Sequence, residues 1–297
     1  SNSDKTFTVN PSDNLSYGIT YLTRVTTGVK DTVGNALSSQ YETSSGFKTI
    51  EQIGGSLQGA ELNLSTVVTT FAGSSSGSTD ATGTSASFYR PHGITTDGTN
   101  LYVSEYGNNR IRQIVISTGV VTTLAGSSSG STDATGTSAS FSRPNGITTD
   151  GINLYVADTS NNRIRQIVIS TGVVTTLAGS SSGSTDATGT SASFNTPLDI
   201  TTDGTNLYVA DYGNHRIRQI VISTGVVTTL AGSSSGSTDA TGTSASFSSP
   251  YGITTDGTNL YVADFGNNRI RQIVISTGAV TTLAGSSSGS TDATGTS

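Results

Sequence analysis

One word recurs four times in this chain at a constant step. Arg110, Arg163, Arg216 and Arg269 each open Arg-Ile-Arg-Gln-Ile-Val-Ile, and successive copies lie 53 residues apart. The surroundings keep a fixed order. Phe-x-x-Pro-x-Gly-Ile-Thr-Thr-Asp-Gly comes first, with Asp199 replacing the first Gly in the third copy. Asn-Leu-Tyr-Val follows, then the arginine word, then Val-Thr-Thr-Leu-Ala-Gly. A fixed period of this size means a propeller, a solenoid or an array, and it constrains every other reading.

The unit from Pro91 to Gly126 reads as four short strands. Gly93–Thr96 is followed by an Asp97-Gly98 hairpin signal, then by Leu101–Ser104. Tyr106-Gly107-Asn108-Asn109 is a polar turn, Arg110–Ile116 the third strand, and Val120–Leu124 the fourth after Ser117-Thr118-Gly119. No segment shows apolar residues at helical spacing, and Gly, Asp or Asn bounds each strand. Four antiparallel strands per unit describe a propeller blade. Full blades are expected at 91–126, 144–179, 197–232 and 250–285, each opened by a proline where a missing N–H does no harm. The expected fold is all-β: a β-propeller of four full blades and a partial one over residues 67–297. A linker at 51–66 and a small β domain at 1–50 precede it.

The blade word resembles the NHL repeat. Pro-x-Gly-Ile, Leu-Tyr-Val-Ala-Asp and Asn214-His215-Arg216-Ile217 stand where that repeat has them. The resemblance implies the propeller fold and leaves function open, because such propellers serve as receptor ectodomains, RNA readers, scaffolds and a few lyases. Residues 5–49 resemble the C-terminal half of bacterial Ig-like domains of the surface-layer type. Leu15-Ser16, Thr20-Tyr21, Val25-Thr26-Thr27-Gly28-Val29-Lys30-Asp31 and Gly34-Asn35-x-Leu37 carry that likeness, which implies a spacer on a cell-surface protein. Strands are expected at Thr6–Val9, Thr20–Thr27 and Ser45–Thr49. Val67–Phe71 repeats the end of a unit, so a spare fourth strand is expected there. Asp292 to Ser297 matches the middle of an inter-blade loop, which gives the expectation of a piece of a longer array with open blade edges that favour self-association.

Composition narrows function. The chain has no Cys, so neither a disulfide framework nor thiol chemistry is available. Its net charge is −6, and all three lysines precede residue 50. That balance disfavours nucleic acid, which calls for a basic face. The sequence contains no Met and no apolar run long enough to span a bilayer, which gives the expectation of a processed or excised piece.

Candidate chemistry is sparse. His92 and His215 occupy different places in the unit, so no metal centre is expected. The loop aspartates Asp80, Asp133, Asp186, Asp239 and Asp292 supply one carboxylate per loop. They suit turn-holding bonds better than calcium, which usually takes several. Glu105, Asp158, Asp211 and Asp264 precede Arg110, Arg163, Arg216 and Arg269 across a turn, and a structural ladder is expected between them. No residue is assigned a catalytic role, and no cofactor is expected. Each loop-ending phenylalanine (Phe88, Phe141, Phe194, Phe247) is expected to anchor its loop by burial. The long Ser/Gly/Thr loops themselves are expected to be functional or mobile and to lie on the binding face, the one that carries the differences between copies.

Comparing the chain with itself locates a binding face. The copies differ beside the leading proline and in the polar turn. Alternating strands place both on one end of the blade, whereas the Asp-Gly and Ser-Thr-Gly turns of the other end hardly change. The candidate binding residues are Tyr89, Arg90, His92, Tyr106, Arg143, Asn145, Thr159, Leu198, Asp199, Tyr212, His215, Tyr251 and Phe265. Drift in unconstrained turns is the bland alternative; against it stands the identity of the long loops. The reading is a secreted or cell-surface bacterial module that binds a protein or glycan and inserts in no membrane. A propeller enzyme with a channel-mouth site is the alternative, and RNA binding the third.

Overall fold

The computed structural model describes residues 68–290 and Gly295, together with four short paired segments near the N-terminus. It divides into two units, Ser1–Val68 and Thr69–Ser297. In the first, Thr20–Tyr21 pairs antiparallel with Phe47–Lys48, and Arg24–Val25 with Tyr41–Glu42. These segments fall in two of the expected strands and add a pairing at Tyr41–Glu42. Thr6–Val9 and the linker at 51–66 lie outside the described residues.

The second unit is almost wholly β. Blade one consists of Pro91–Thr96, Asn100–Glu105, Arg110–Val115 and Val121–Ala125, hydrogen-bonded in that order as one antiparallel sheet. Blades two, three and four repeat it from Pro144, Pro197 and Pro250. The expected blades are therefore present at the expected step. Among the described residues the only helical pieces are three-residue 3-10 turns. Val68–Phe71 carries no strand pairing, so the spare fourth strand is not formed over these residues.

Each hairpin is fixed locally. Asp97 accepts hydrogen bonds from the Thr99 and Asn100 N–H groups at 2.8 and 2.7 Å and from the Tyr102 hydroxyl at 2.7 Å. Gly98 follows at φ +87°, a conformation glycine adopts without steric cost. Desolvation pushes the Asp97 carboxyl up, but the donors outweigh it and hold it down at about 2. Burial and the facing Asp97 push Tyr102 up to about 12.

Packing is between neighbours. Tyr102, Ile111 and Ala125 of blade one meet Ile147, Leu154, Val156, Ile167 and Val174 of blade two, with Phe141 between them. The same residues recur at the next two joints. Middle strands are covered on both faces, which is why Leu-Tyr-Val and Ile-Arg-Gln-Ile read as near-continuous buried runs rather than clean alternation. Among the described residues nothing covers the outer faces of the first and last blades. Ile94 of blade one is 61% exposed, whereas its equivalents Ile147, Ile200 and Ile253 are 5%, 3% and 7% exposed. At the other end Ile270 is 42% exposed, against 0% for Ile111, Ile164 and Ile217.

The long loops are neither free nor confined to the variable end. Thr135 bridges to Val173, and the Gly136 N–H donates to the Gly172 carbonyl at 2.8 Å, beside the Ser-Thr-Gly turn at the opposite end. Each loop thus runs along the outer strand of the blade that follows it and covers a free sheet edge. Its clasp is a buried arginine. Arg165 pairs with Asp133 of the loop at 2.6 Å and with Asp158 of its own blade at 2.8 Å. It also donates to the Ser140 and Thr132 carbonyls at 2.9 Å each, under the Phe141 ring at 5.0 Å. Asp133 accepts from the Thr176 N–H and hydroxyl as well, both at 3.0 Å. Phe141, Phe194 and Phe247 are fully buried, as expected, and Phe88 partly so.

The acid ladder is corrected by this arrangement. Asp158 and Arg163 are cross-strand neighbours, yet the ion pair forms with Arg165, two residues further along the same face. Arg163 instead donates to the Ser131 carbonyl of the loop at 3.1 Å. Among the described residues no cluster of three or more His, Cys, Asp or Glu side chains is placed to hold a metal ion. Asp80, Asp133, Asp186 and Asp239 hold arginines and the outer strand, and Asp292 lies outside the described residues.

Candidate functional site

The inner strands of the four blades run side by side in chain order, and their first turns open toward one end. There the residue after each leading proline comes from four different blades: His92, Asn145, Leu198 and Tyr251. All four line one cavity of about 440 Å³, together with Tyr106, Arg143 and Thr159. Seven of the candidate residues therefore share a single site.

Local backbone geometry sets this mouth. Arg90, Arg143, Thr196 and Ser249 precede the prolines at φ of 54–55°. The last residues of the polar turns, Asn109, Asn162, His215 and Asn268, have φ of 54–57°. Such positions are uncommon outside Gly, with Asn and His enriched. Each pair meets across a joint: Asn109 Oδ1 accepts from the Arg143 N–H, Asn162 Oδ1 from Thr196 and His215 Nδ1 from Ser249, at 2.8, 2.8 and 3.0 Å. His215 thus takes the place of an asparagine as a joint acceptor, which is a structural role.

The rings are grouped. His92 stacks on Tyr106 with centroids 4.5 Å apart, and the Arg143 guanidinium lies 5.8 Å from the Tyr106 centroid. Tyr251 bridges to a second group, meeting Tyr212 edge-on at 6.4 Å and Phe265 at 5.9 Å. Thr159 is buried and donates from its hydroxyl to the Pro197 carbonyl at 2.7 Å.

The other candidates lie outside the cavity lining. Tyr89 packs on the Gly107 turn with Arg90 at 5.3 Å from its ring. Asp199 turns away, accepting from the Ile200 and Ile253 N–H groups at 2.9 Å each. Burial pushes its carboxyl up despite those two donors. Its place is possible because Gly146 leaves it room: a Cβ there would stand 2.4 Å from an Asp199 oxygen. Ser160, Asn162, Asn195 and Thr196 also line the cavity, although they were not among the candidates. Three of them differ between copies and carried the same signal; Asn162 was masked by its near-constancy. The identity of the long loops now has a structural cause, so it no longer argues against drift at the mouth.

A row of four-stranded blades packed face to face, with a mouth where the inner strands begin, defines the chain as a propeller-type repeat protein. Residues 194–220 match the NHL repeat model, and the other three copies share that word at the 53-residue step. Residues 1–49 match the model of the bacterial Ig-like domain. Among similar proteins, human NHL repeat-containing protein 2 is 32% identical over 163 residues, 49% of this chain and 22% of that protein. Protein SUPPRESSOR OF QUENCHING 1, chloroplastic, of Arabidopsis thaliana is 33% identical over 162 residues, 50% of this chain and 15% of that protein. The match thus spans less than a quarter of each relative's length. Among solved structures, virginiamycin B lyase from Staphylococcus aureus aligns at 20% identity and a TM-score of 0.46, covering 65% of this chain and 55% of that one. A chain of a nidogen/laminin complex aligns at 16% identity and a TM-score of 0.42, covering 65% and 80%.

Proposed function

We propose that the array is a ligand-binding module that takes a protein or glycan at the mouth, and that it works outside the cell or at its surface. The observation that carries the reading is convergence. Near-identical blades differ where four of them meet, and seven of the candidate residues line one cavity. Binding sites sit on loops held by a rigid scaffold, and here buried arginines and joint bonds hold the turns. The surface location is supported by the match of residues 1–49 to a bacterial Ig-like domain. Binding is favoured over catalysis because the two histidines are split, one stacked in the mouth and one committed to a joint.

The test is a protein and glycan array probed with the wild-type chain and with a variant carrying Tyr106, Tyr212, Tyr251 and Phe265 as Ala. Aromatic anchors at this end are expected to contribute roughly 1–2 kcal/mol each, so the variant loses the ligand while keeping its thermal midpoint. Ile152→Ser, at an exposed turn of the opposite end, should leave binding unchanged. Unaltered binding by the aromatic variant, or equal loss from Ile152→Ser, would end the proposal.

A second proposal rests on the uncapped end blades. Ile94 and Ile270 stay exposed although their equivalents are covered by a neighbouring blade. Self-association through these faces is expected to raise the mass seen by light scattering as concentration rises. Ile94→Lys combined with Ile270→Lys should abolish the rise. A wild-type monomer at every concentration refutes it.

A further inference from the structure

We infer that the mouth is built to hold an acidic saccharide, an inference that rests on the mouth being the binding site. Asn145 is the first reason. It is only 8% exposed and lines the cavity, yet its carboxamide has no hydrogen-bond partner among the described residues. The buried side-chain atoms left without a partner among the described residues are all arginine Nε groups, so the Asn145 amide is open to the cavity with its hydrogen-bonding capacity unused. A ligand there meets two donors and an acceptor. A sugar hydroxyl both donates and accepts, so neighbouring hydroxyls satisfy both ends of one amide.

Arg143 is the second reason. It is the only Lys, Arg, Asp or Glu side chain in the lining. Its guanidinium forms no ion pair and no hydrogen bond with any described residue, whereas the four buried arginines are each held by two carboxylates. It lies over Tyr106, and its planar fork matches a carboxylate oxygen for oxygen. Asp199, next to Leu198, is turned to backbone N–H groups and does not neutralise it.

The rings supply the third reason. The His92–Tyr106 stack and Tyr251 give flat faces within a lining whose other side chains, Arg143 and Leu198 apart, are amides and hydroxyls. A pyranose has the same division, a C–H face for the rings and an equatorial fringe of hydroxyls for Asn145, Ser160 and Thr196. A carboxylate on that fringe completes the match with Arg143. A peptide brings fewer hydroxyls to so many polar side chains, so the saccharide is favoured.

The experiment is calorimetric titration of the whole chain with trigalacturonate and with its methyl ester, which keeps the ring and removes the charge. The acid is expected to bind at least tenfold more tightly than the ester. Arg143→Gln should erase that difference, and Asn145→Ala should weaken both ligands about tenfold without moving the thermal midpoint. Equal affinity for acid and ester overturns the inference. So does an unaffected Arg143→Gln variant, or an acidic peptide that binds more tightly than the saccharide. Failure of the broader reading looks different: saccharide binding would then survive Tyr106→Ala with Tyr251→Ala. If neither trigalacturonate nor its ester binds, but another ligand binds and is lost with those two rings, the mouth stands and the acidic saccharide falls.

Discussion

Replacing Arg165 with Ala is expected to cost about 3–5 kcal/mol and to release the loop of blade two, because it strands a buried carboxylate. The side chain has no exposed surface and holds Asp158, which is equally buried, at 2.8 Å. Burial pushes the Asp158 carboxyl up, opposed by hydrogen bonds from the Asn161 amide and the Ser142 N–H and by the Arg165 charge, so losing the arginine removes its one ionic partner. The two ends of this relay are not equivalent. Asp133 is 46% exposed, and water takes over much of its solvation when the pair breaks. Asp133→Ala is therefore expected to cost less, about 1–3 kcal/mol, mainly through the guanidinium's loss of its second carboxylate and the orphaned Thr176 N–H. Urea denaturation of the three proteins tests the order. A larger loss from Asp133→Ala than from Arg165→Ala would contradict the relay. Arg165→Met combined with Asp158→Asn should recover part of the loss, since removing both charges is cheaper than removing one.

Phe194→Ala should cost about 3–5 kcal/mol, the range for emptying a buried aromatic site. Phe194 has no exposed surface, lies 5.0 Å from the Arg218 guanidinium and fills the joint between blades two and three. Gly179 shows how closely it fits: a Cβ there would come within 2.8 Å of the ring. For a domain of this size the thermal midpoint should fall on the order of 10 °C. Phe88→Ala should cost clearly less, because Phe88 caps the uncovered end of blade one. Each blade touches only its neighbours, so the damage should stay local. Hydrogen exchange should quicken at blades two and three before blade one. Equal losses from Phe88 and Phe194, or uniform exchange, would show that these rings do not seal individual joints.

The amino-acid order alone determined the blade. The 53-residue step, the Asp-Gly hairpins, the leading prolines and the phenylalanine at each loop end are local signals with local causes, and the strands follow them closely. It also marked one end as variable, since internal copies can be compared without any fold. What it left undecided depends on contacts across long separations. Asp158 stands opposite Arg163 in the ladder, so the nearer pair seemed natural. Only the loop arriving 32 residues upstream, with Asp133, shows that Arg165 is the buried member. The loops read as free because Ser, Gly and Thr carry no pattern of their own, and their partners lie on the outer strand of the following blade. In the same way His215 reads as a binding residue until Ser249 of the next blade is seen donating to it. The mouth itself belongs to no single repeat. His92, Asn145, Leu198 and Tyr251 are 53 residues apart in turn, and the packing of inner strand on inner strand brings them around one cavity.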